Sequence, residues 1–201
     1  MFAFADKLGE KVLESYNDPY DAYQNRNYKK ELCIISDNKV IYILDTQMIS
    51  VKWAVSCAKR VLHEFEEYHP DDKKPRKAIE AASNWIKDPS EKNRIICKDA
   101  SDARYSNYNI NIAYNAAYYT AGAVYTNSAY NAFYAAYYAT NAANTSTKKL
   151  LEIKWQRKKL NQIVYKEILI AFATTQYQRL DKKLVRKIPK ELLEHIASFL
   201  Y

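Results

Sequence analysis

Between Tyr105 and Thr147 the chain runs for 43 residues without one charged side chain, built instead from alanine, tyrosine and asparagine. Stretches such as Asn115-Ala116-Ala117-Tyr118-Tyr119 and Asn131-Ala132-Phe133-Tyr134-Ala135-Ala136-Tyr137-Tyr138 limit what it can become. Alanine is the strongest helix former, and its small side chain lets neighbouring helices approach closely. Tyrosine fills wider gaps and keeps a polar tip. The segment predicts two packed helices, broken near Gly122 or near Thr126-Asn127-Ser128. Its eight asparagines make a membrane span too costly, and the alanine content argues against polar-aromatic low complexity. The Tyr/Ala-rich face either packs internally or joins two copies in a homo-oligomer, because tyrosine-rich surfaces suit interfaces.

The rest of the chain supports an all-α, single-domain array of about seven helices. Only two glycines, Gly9 and Gly122, occur in 201 residues. That excludes the Gly-rich phosphate loops of nucleotide-binding folds and most tight hairpin turns. Thr46 to Tyr68 carries Ile49, Trp53, Cys57, Val61 or Leu62, and Phe65 at steps of about four residues, one buried helical stripe. Pro75 to Lys87 follows, with Pro75 in the first turn and Ile79, Ala82 and Trp85 or Ile86 inward. Asp88-Pro89-Ser90-Glu91 reads as cap, first-turn proline and N3 glutamate of the next helix.

The ends are less regular. Phe4, Leu8, Val12 and Leu13 fall at helical intervals and predict one amphipathic helix over Phe2–Tyr16, followed by a polar loop. Leu32–Ile35 and Val40–Leu44 flank Ser36-Asp37-Asn38-Lys39 and suggest a small β-hairpin near residues 32–44; alternatively Val40–Leu44 begins the next helix. After Asn144 a long helix carries Leu150, Leu151, Trp155, Ile163, Ile168, Phe172 and Tyr177. Ile188 to Leu200 reads as an amphipathic closing helix, with a short similarity to the opening of an F-box. The chain thus divides into an N-terminal helix and loop extension over 1–45, a helical domain over 46–147, and basic helices over 148–201 packed on the same domain.

Charge is distributed unevenly. Residues 1–100 carry 17 basic and 17 acidic side chains, and residues 148–201 carry 13 basic and 5 acidic, so the net charge of +8 resides in the last segment. Tyr, Lys, Asn and Ile, all with A/T-rich codons, make up 74 of the 201 residues, which discounts lysine abundance as a functional sign. Even so, Lys154, Arg157, Lys158 and Lys159 lie along one stretch of the long helix. An alternative reading makes residues 148–187 a nucleic-acid contact, with Trp155, Tyr165 or Tyr177 for stacking. No helix-turn-helix glycine, RNP-type aromatic motif or zinc knuckle accompanies them.

Enzyme chemistry finds little to work with. His63-Glu64-Phe65-Glu66-Glu67-Tyr68-His69 places His63 and Glu67 one turn apart, but the zinc-protease pattern needs histidine where Glu67 stands. Cys33, Cys57 and Cys97 lack the close pairing of zinc sites, and Cys57 shares the face of Trp53 and Phe65, which suits reduced, buried thiols. The expectation is therefore no catalytic residue, no metal and no cofactor. Met1–Glu10 carries Asp6 and Glu10 with no basic n-region, and no apolar run is long enough to span a bilayer. A cytoplasmic protein without a membrane partner is expected.

The pattern Trp53-Ala54-x-x-Cys57-Ala58-x-x-Val61-Leu62-x-x-Phe65-Glu66, then Pro70-x-Asp72-x-x-Pro75-Arg76-x-Ala78-Ile79-Glu80-Ala81-Ala82-x-x-Trp85, resembles the immunity protein five-like family of polymorphic-toxin loci. The resemblance covers about residues 46–143, because an alanine-rich helical segment also follows there in that family. It implies an all-helical fold and a non-enzymatic role, in which the protein neutralises a toxin partner by covering it. Relatives typically carry histidines in the alanine-rich segment, whereas this chain has none between His69 and His195. Most motif positions have structural reasons; the polar exceptions are Asp72, Arg76 and Glu80. Arg76 and Glu80 form an i,i+4 pair, and Asp72 can cap the helix and meet Arg76. The trio reads as a structural clamp, with a partner-binding role as the alternative.

Overall fold

A computed structural model describes residues 2–5, 12–16, 20–21, 31–36, 39–102, 112–126, 129–143 and 145–178. Among the elements defined by the described residues, four strands precede six helices. The strands are β1 (Phe2–Ala5), β2 (Val12–Tyr16), β3 (Glu31–Ser36) and β4 (Lys39–Ile43). The helices are α1 (Thr46–Glu66), α2 (Lys74–Lys87), α3 (Glu91–Asp102), α4 (Ile112–Tyr125), α5 (Ala129–Ala142) and α6 (Ser146–Gln178). Two compact units emerge, one of residues 1–26, 30–44 and 158–201, the other of residues 27–29 and 45–157. The helix α6 contributes to both.

In the first unit the strands form an antiparallel sheet of order β2-β1-β3-β4. Phe2 stands opposite Tyr16 on one side and Ile34 on the other, so β1 is interior. The expected hairpin is present as β3 and β4, with Cys33 opposite Ile43 and a register shift between Ile34 and Ile35. The expected N-terminal helix is not: Phe2–Ala5 and Val12–Tyr16 are strands. Phe2-Ala3-Phe4-Ala5 alternates large and small with period two, and in so short a segment that period competes with the helical one. The helical part of this unit buries Leu160, Ile163, Val164, Tyr165 and Ile168. The Tyr20 backbone N–H donates to Asn161 Oδ1 at 3.2 Å.

The second unit is all-α among its described residues, and α4 is its hub, packing against α1, α2, α3 and α5. The helix α4 ends at Tyr125 and α5 begins at Ala129; just past the end of α4 the Thr126 hydroxyl and N–H both donate back to the Gly122 carbonyl. Ala113, Ala116, Ala117, Ala121 and Ala123 of α4 are buried, as are Ala132, Ala135, Ala136 and Ala139 of α5. Close approach is the physical reason. A Cβ added at Gly122 would stand 3.1 Å from Asn131 Nδ2, tighter than ordinary contact. The stripe predicted for α1 is buried throughout: Ile49, Trp53, Cys57, Val61, Leu62 and Phe65.

Helix starts follow local chemistry. Asp45 caps α1, its Oδ1 accepting from the Met48 N–H at 2.9 Å. For α3 the capping residue is Ser90 and not Asp88: the Ser90 carbonyl accepts from the Arg94 N–H at 3.0 Å. Asp88 is still committed to α2, its own N–H closing onto the Asn84 carbonyl at 3.0 Å. Its side chain instead braces the new helix through the Ser90 hydroxyl (3.0 Å) and Asn93 Nδ2 (3.1 Å). The closing helix expected at 188–200, with its F-box-like stretch, lies outside the described residues. No described helix is long and apolar enough to cross a membrane.

If small residues set the helix spacing, Ala135→Leu destabilises the protein by about 1–3 kcal/mol through overpacking. Tyr137→Ser on the exposed side of the same helix costs less than about 1 kcal/mol. Urea denaturation of both variants checks the contrast.

Candidate functional site

The corner between α1 and α2 holds the motif residues. The chain leaves α1 through N–H groups of Tyr68 and His69 that both donate to the Phe65 carbonyl, at 3.2 and 3.0 Å. It then turns again where the Asp72 N–H meets the His69 carbonyl at 3.2 Å. Asp72 Oδ1 accepts from the Lys74 N–H at 2.9 Å, satisfying a donor at the start of α2, and Pro75 is buried in that first turn. Arg76 does not spend its fork on Glu80. Its Nε donates to Glu66 Oε1 at 2.7 Å and its terminal nitrogen to Glu66 Oε2 at 2.6 Å, a bidentate clamp from α2 to the last turn of α1. Glu80 is exposed and adds only to the field at Arg76, raising its pKa after the larger effect of Glu66. Glu66 stands ten residues before Arg76, across the corner, a spacing that no helical rule pairs.

Below the corner lies an aromatic cluster. Phe65 is buried with its ring 4.9 Å from that of His69 and 5.4 Å from that of Tyr114. The Tyr114 and Tyr118 rings, one turn apart, meet at a tilt with centroids 4.4 Å apart, and the Tyr118 hydroxyl donates to the Tyr114 hydroxyl at 2.9 Å. Burial, then that hydrogen bond and the Tyr114 and Asp72 charges, push the Tyr118 phenol well above its ordinary value. It stays protonated and serves as a donor, not as a base. His63, Glu67 and His69 are all exposed, and the His69 ring rests on Phe65. Among the described residues no group of three or more His, Cys, Asp or Glu side chains is arranged to hold a metal. Cys57 and Cys97 are buried, and burial pushes the Cys97 thiol up to about 12.

The first half of α6 is turned inside out. Glu152 and Gln156 are 6% and 3% exposed, while Leu150, Leu151 and Ile153 are 53%, 58% and 40% exposed. The polar pair is inward because partners wait there. Arg60 Nε of α1 donates to Glu152 Oε2 at 2.6 Å. Gln156 Nε2 reaches the Ala136 carbonyl (3.0 Å), Thr140 Oγ1 (3.1 Å) and Glu152 Oε1 (3.2 Å), and the Gln156 carbonyl accepts from Trp53 Nε1 at 3.2 Å. The Arg60 guanidinium lies 4.7 Å over the Trp155 ring. Of the basic residues singled out from the sequence, Lys154, Arg157 and Lys158 are exposed and Lys159 is half-buried. Leu150 and Leu151, expected in the apolar stripe, lie outside it.

On α4 and α5 the alanines named above face inward with Tyr114 and Tyr118, and the remaining tyrosines lie toward the outside. Tyr119 stacks on Tyr134 at 5.1 Å and on Tyr138 at 5.3 Å, and the Tyr130 hydroxyl donates to that of Tyr134 at 3.0 Å. Tyr130 and Tyr137 are exposed. The tyrosines thus pack on one another at the surface.

The clamp carries a pH signature. Arg76, through its hydrogen bonds, holds the Glu66 carboxyl below the usual carboxylate range. A depressed folded-state pKa adds stability above the unfolded value, lost as pH falls through the folded one. Wild type is therefore more stable than Arg76→Met at neutral pH, and the difference shrinks as the medium is acidified through the carboxylate range. Urea midpoints across pH measure it; a gap unchanged down to strong acid contradicts the clamp.

The sequence model of one family, described as Imm-5 like putative immunity protein, matches residues 42–163, more than half of the chain. Neither curated proteins nor solved structures give a match. The matched span runs from the end of β4 through α1–α5 into α6, and so takes in the Glu66–Arg76 corner, the alanine-packed hub and the inverted turns of α6. This chain belongs to the Imm-5 like putative immunity protein family.

Proposed function

We propose that the chain is an immunity protein that binds a protein toxin and covers its working surface without chemistry of its own. Family membership carries this reading. The character of the polar groups supports it. Glu66, Arg76 and Asp72 brace the α1–α2 corner, Glu152 and Gln156 are held by Arg60, Trp53 and Ala136, and the Tyr118 phenol is kept protonated. Each side chain so engaged fixes the helices, and what remains for a partner is the exterior. Under this reading Asp72, Arg76 and Glu80 shape the surface, with Asp72 and Arg76 acting through the corner they hold.

The nucleic-acid reading of residues 148–187 is the less favoured. Stacking on single strands needs an open aromatic face. The Trp155 ring is half-buried with the Arg60 guanidinium lying over it, and the exposed apolar residues beside the lysines are aliphatic.

Occlusion and catalysis differ in stoichiometry. A cognate toxin, titrated with the purified protein, loses activity linearly and reaches its floor at about one chain per toxin, the signature of tight one-to-one binding. Full neutralisation at a small fraction of an equivalent would mean turnover, and no neutralisation at any ratio would remove the immunity reading.

A further inference from the structure

We infer that the outward face of the first three turns of α6 is a docking surface for an acidic protein segment that carries aliphatic anchors flanked by carboxylates. It rests on the partner-binding reading above and names the surface and the chemistry of the partner.

The first observation is the inversion of the helix. A helix on a folded body normally turns apolar residues in and polar residues out. Here Leu150, Leu151 and Ile153 are 53%, 58% and 40% exposed while Glu152 and Gln156 are almost fully enclosed. The helix cannot relieve this by rolling. Trp53 Nε1 is bonded to the Gln156 carbonyl, Gln156 Nε2 to the Ala136 carbonyl, and Arg60 to Glu152, so rotation would break a half-buried ion pair and strand the enclosed Glu152 carboxylate and Gln156 amide. The buried network keeps three aliphatic side chains in water, and a clustered exposed apolar patch marks an interaction site more often than scattered residues do.

The second observation is charge. Lys148, Lys154 and Arg157 are exposed on the same turns, and the acidic residue of this stretch, Glu152, is turned inward and paired with Arg60. Helical geometry puts Leu150, Ile153, Lys154 and Arg157 at i, i+3, i+4 and i+7, one continuous face. An apolar strip edged by cations complements an apolar strip edged by carboxylates, with the charges supplying orientation and encounter rate. Nucleic acid would meet the cations but leave the leucines unused.

The test uses the full chain and a labelled 20-residue helical peptide with leucines at i, i+3, i+4 and i+7 edged by glutamates. An otherwise identical peptide edged by lysines, a 20-base-pair DNA duplex and phosphatidylserine-containing vesicles serve as comparisons. Fluorescence anisotropy is expected to show binding of the acidic peptide at least about tenfold tighter than the lysine peptide, weakened by salt. Leu150→Ser/Leu151→Ser and Lys148→Glu/Lys154→Glu each weaken it at least about tenfold, with thermal midpoints near wild type because the altered side chains are exposed. Equal affinity for the two peptides, binding untouched by the leucine changes, or preference for DNA or vesicles would each overturn the proposal. Toxin neutralisation is a separate readout: if it persists in the doubly substituted proteins, the immunity reading stands and this surface is not the one used.

Discussion

The helix α4 must be surrounded, and that requirement organises the helical unit. Ten of its residues are buried, and it is packed against four other helices. A helix in that position can carry no unpaired charge, since an ion taken out of water needs a partner in hydrogen-bond geometry. It must also be slim, because helices can approach it on several sides only where alanine and glycine replace larger side chains. The 43-residue uncharged stretch meets both conditions. Tyrosine completes it in two ways: Tyr114 and Tyr118 satisfy each other inside, and Tyr119, Tyr134 and Tyr138 stack along the outside.

With the hub fixed, the charged residues become fasteners at the periphery. The Glu66–Arg76 fork holds α2 against the end of α1, and Asp72 satisfies a donor where α2 begins. Arg60 and Trp53, one and three turns from the end of the α1 stripe, hold the first turns of α6 by opposite kinds of contact, an ion pair and an indole hydrogen bond. Glu152 and Gln156 are buried because they complete these contacts. The exposure of Leu150, Leu151 and Ile153 is the geometric consequence, since inward and outward positions on one helix cannot be chosen independently. A surface produced in this way is fixed before any partner arrives, and preorganisation lowers the cost of binding.

Much of the helical unit was legible in the sequence, for reasons that differ by residue. Ile49, Trp53, Cys57, Val61 and Phe65 declare α1 because a long amphipathic stripe has a single good periodic interpretation. The α4–α5 break could be located only to one of two places, since Gly122 and Thr126-Asn127-Ser128 are both plausible stops. The N-terminal strands were misread because in fifteen residues Phe4, Leu8, Val12 and Leu13 satisfy the helical period while Phe2 and Phe4 satisfy the strand period. The partner of Arg76 was hidden for another reason: Glu80 is its neighbour along the helix, and Glu66 becomes one only once the corner folds. The inversion of α6 was likewise invisible, because Arg60 and Trp53 lie about a hundred residues earlier and hydropathy ranks leucine ahead of glutamate for burial.

The central claim is that the uncharged α4–α5 segment is the interior of one cooperative body with α1, and not an appended tyrosine-rich hairpin. Native-state hydrogen exchange under increasing urea addresses it directly, because it assigns an opening free energy to each helix. Amides of α1, α4 and α5 are expected to be the slowest in the unit and to converge on one common free energy, that of global unfolding. Amides of α4 and α5 opening at a distinctly lower free energy than those of α1 would contradict the claim.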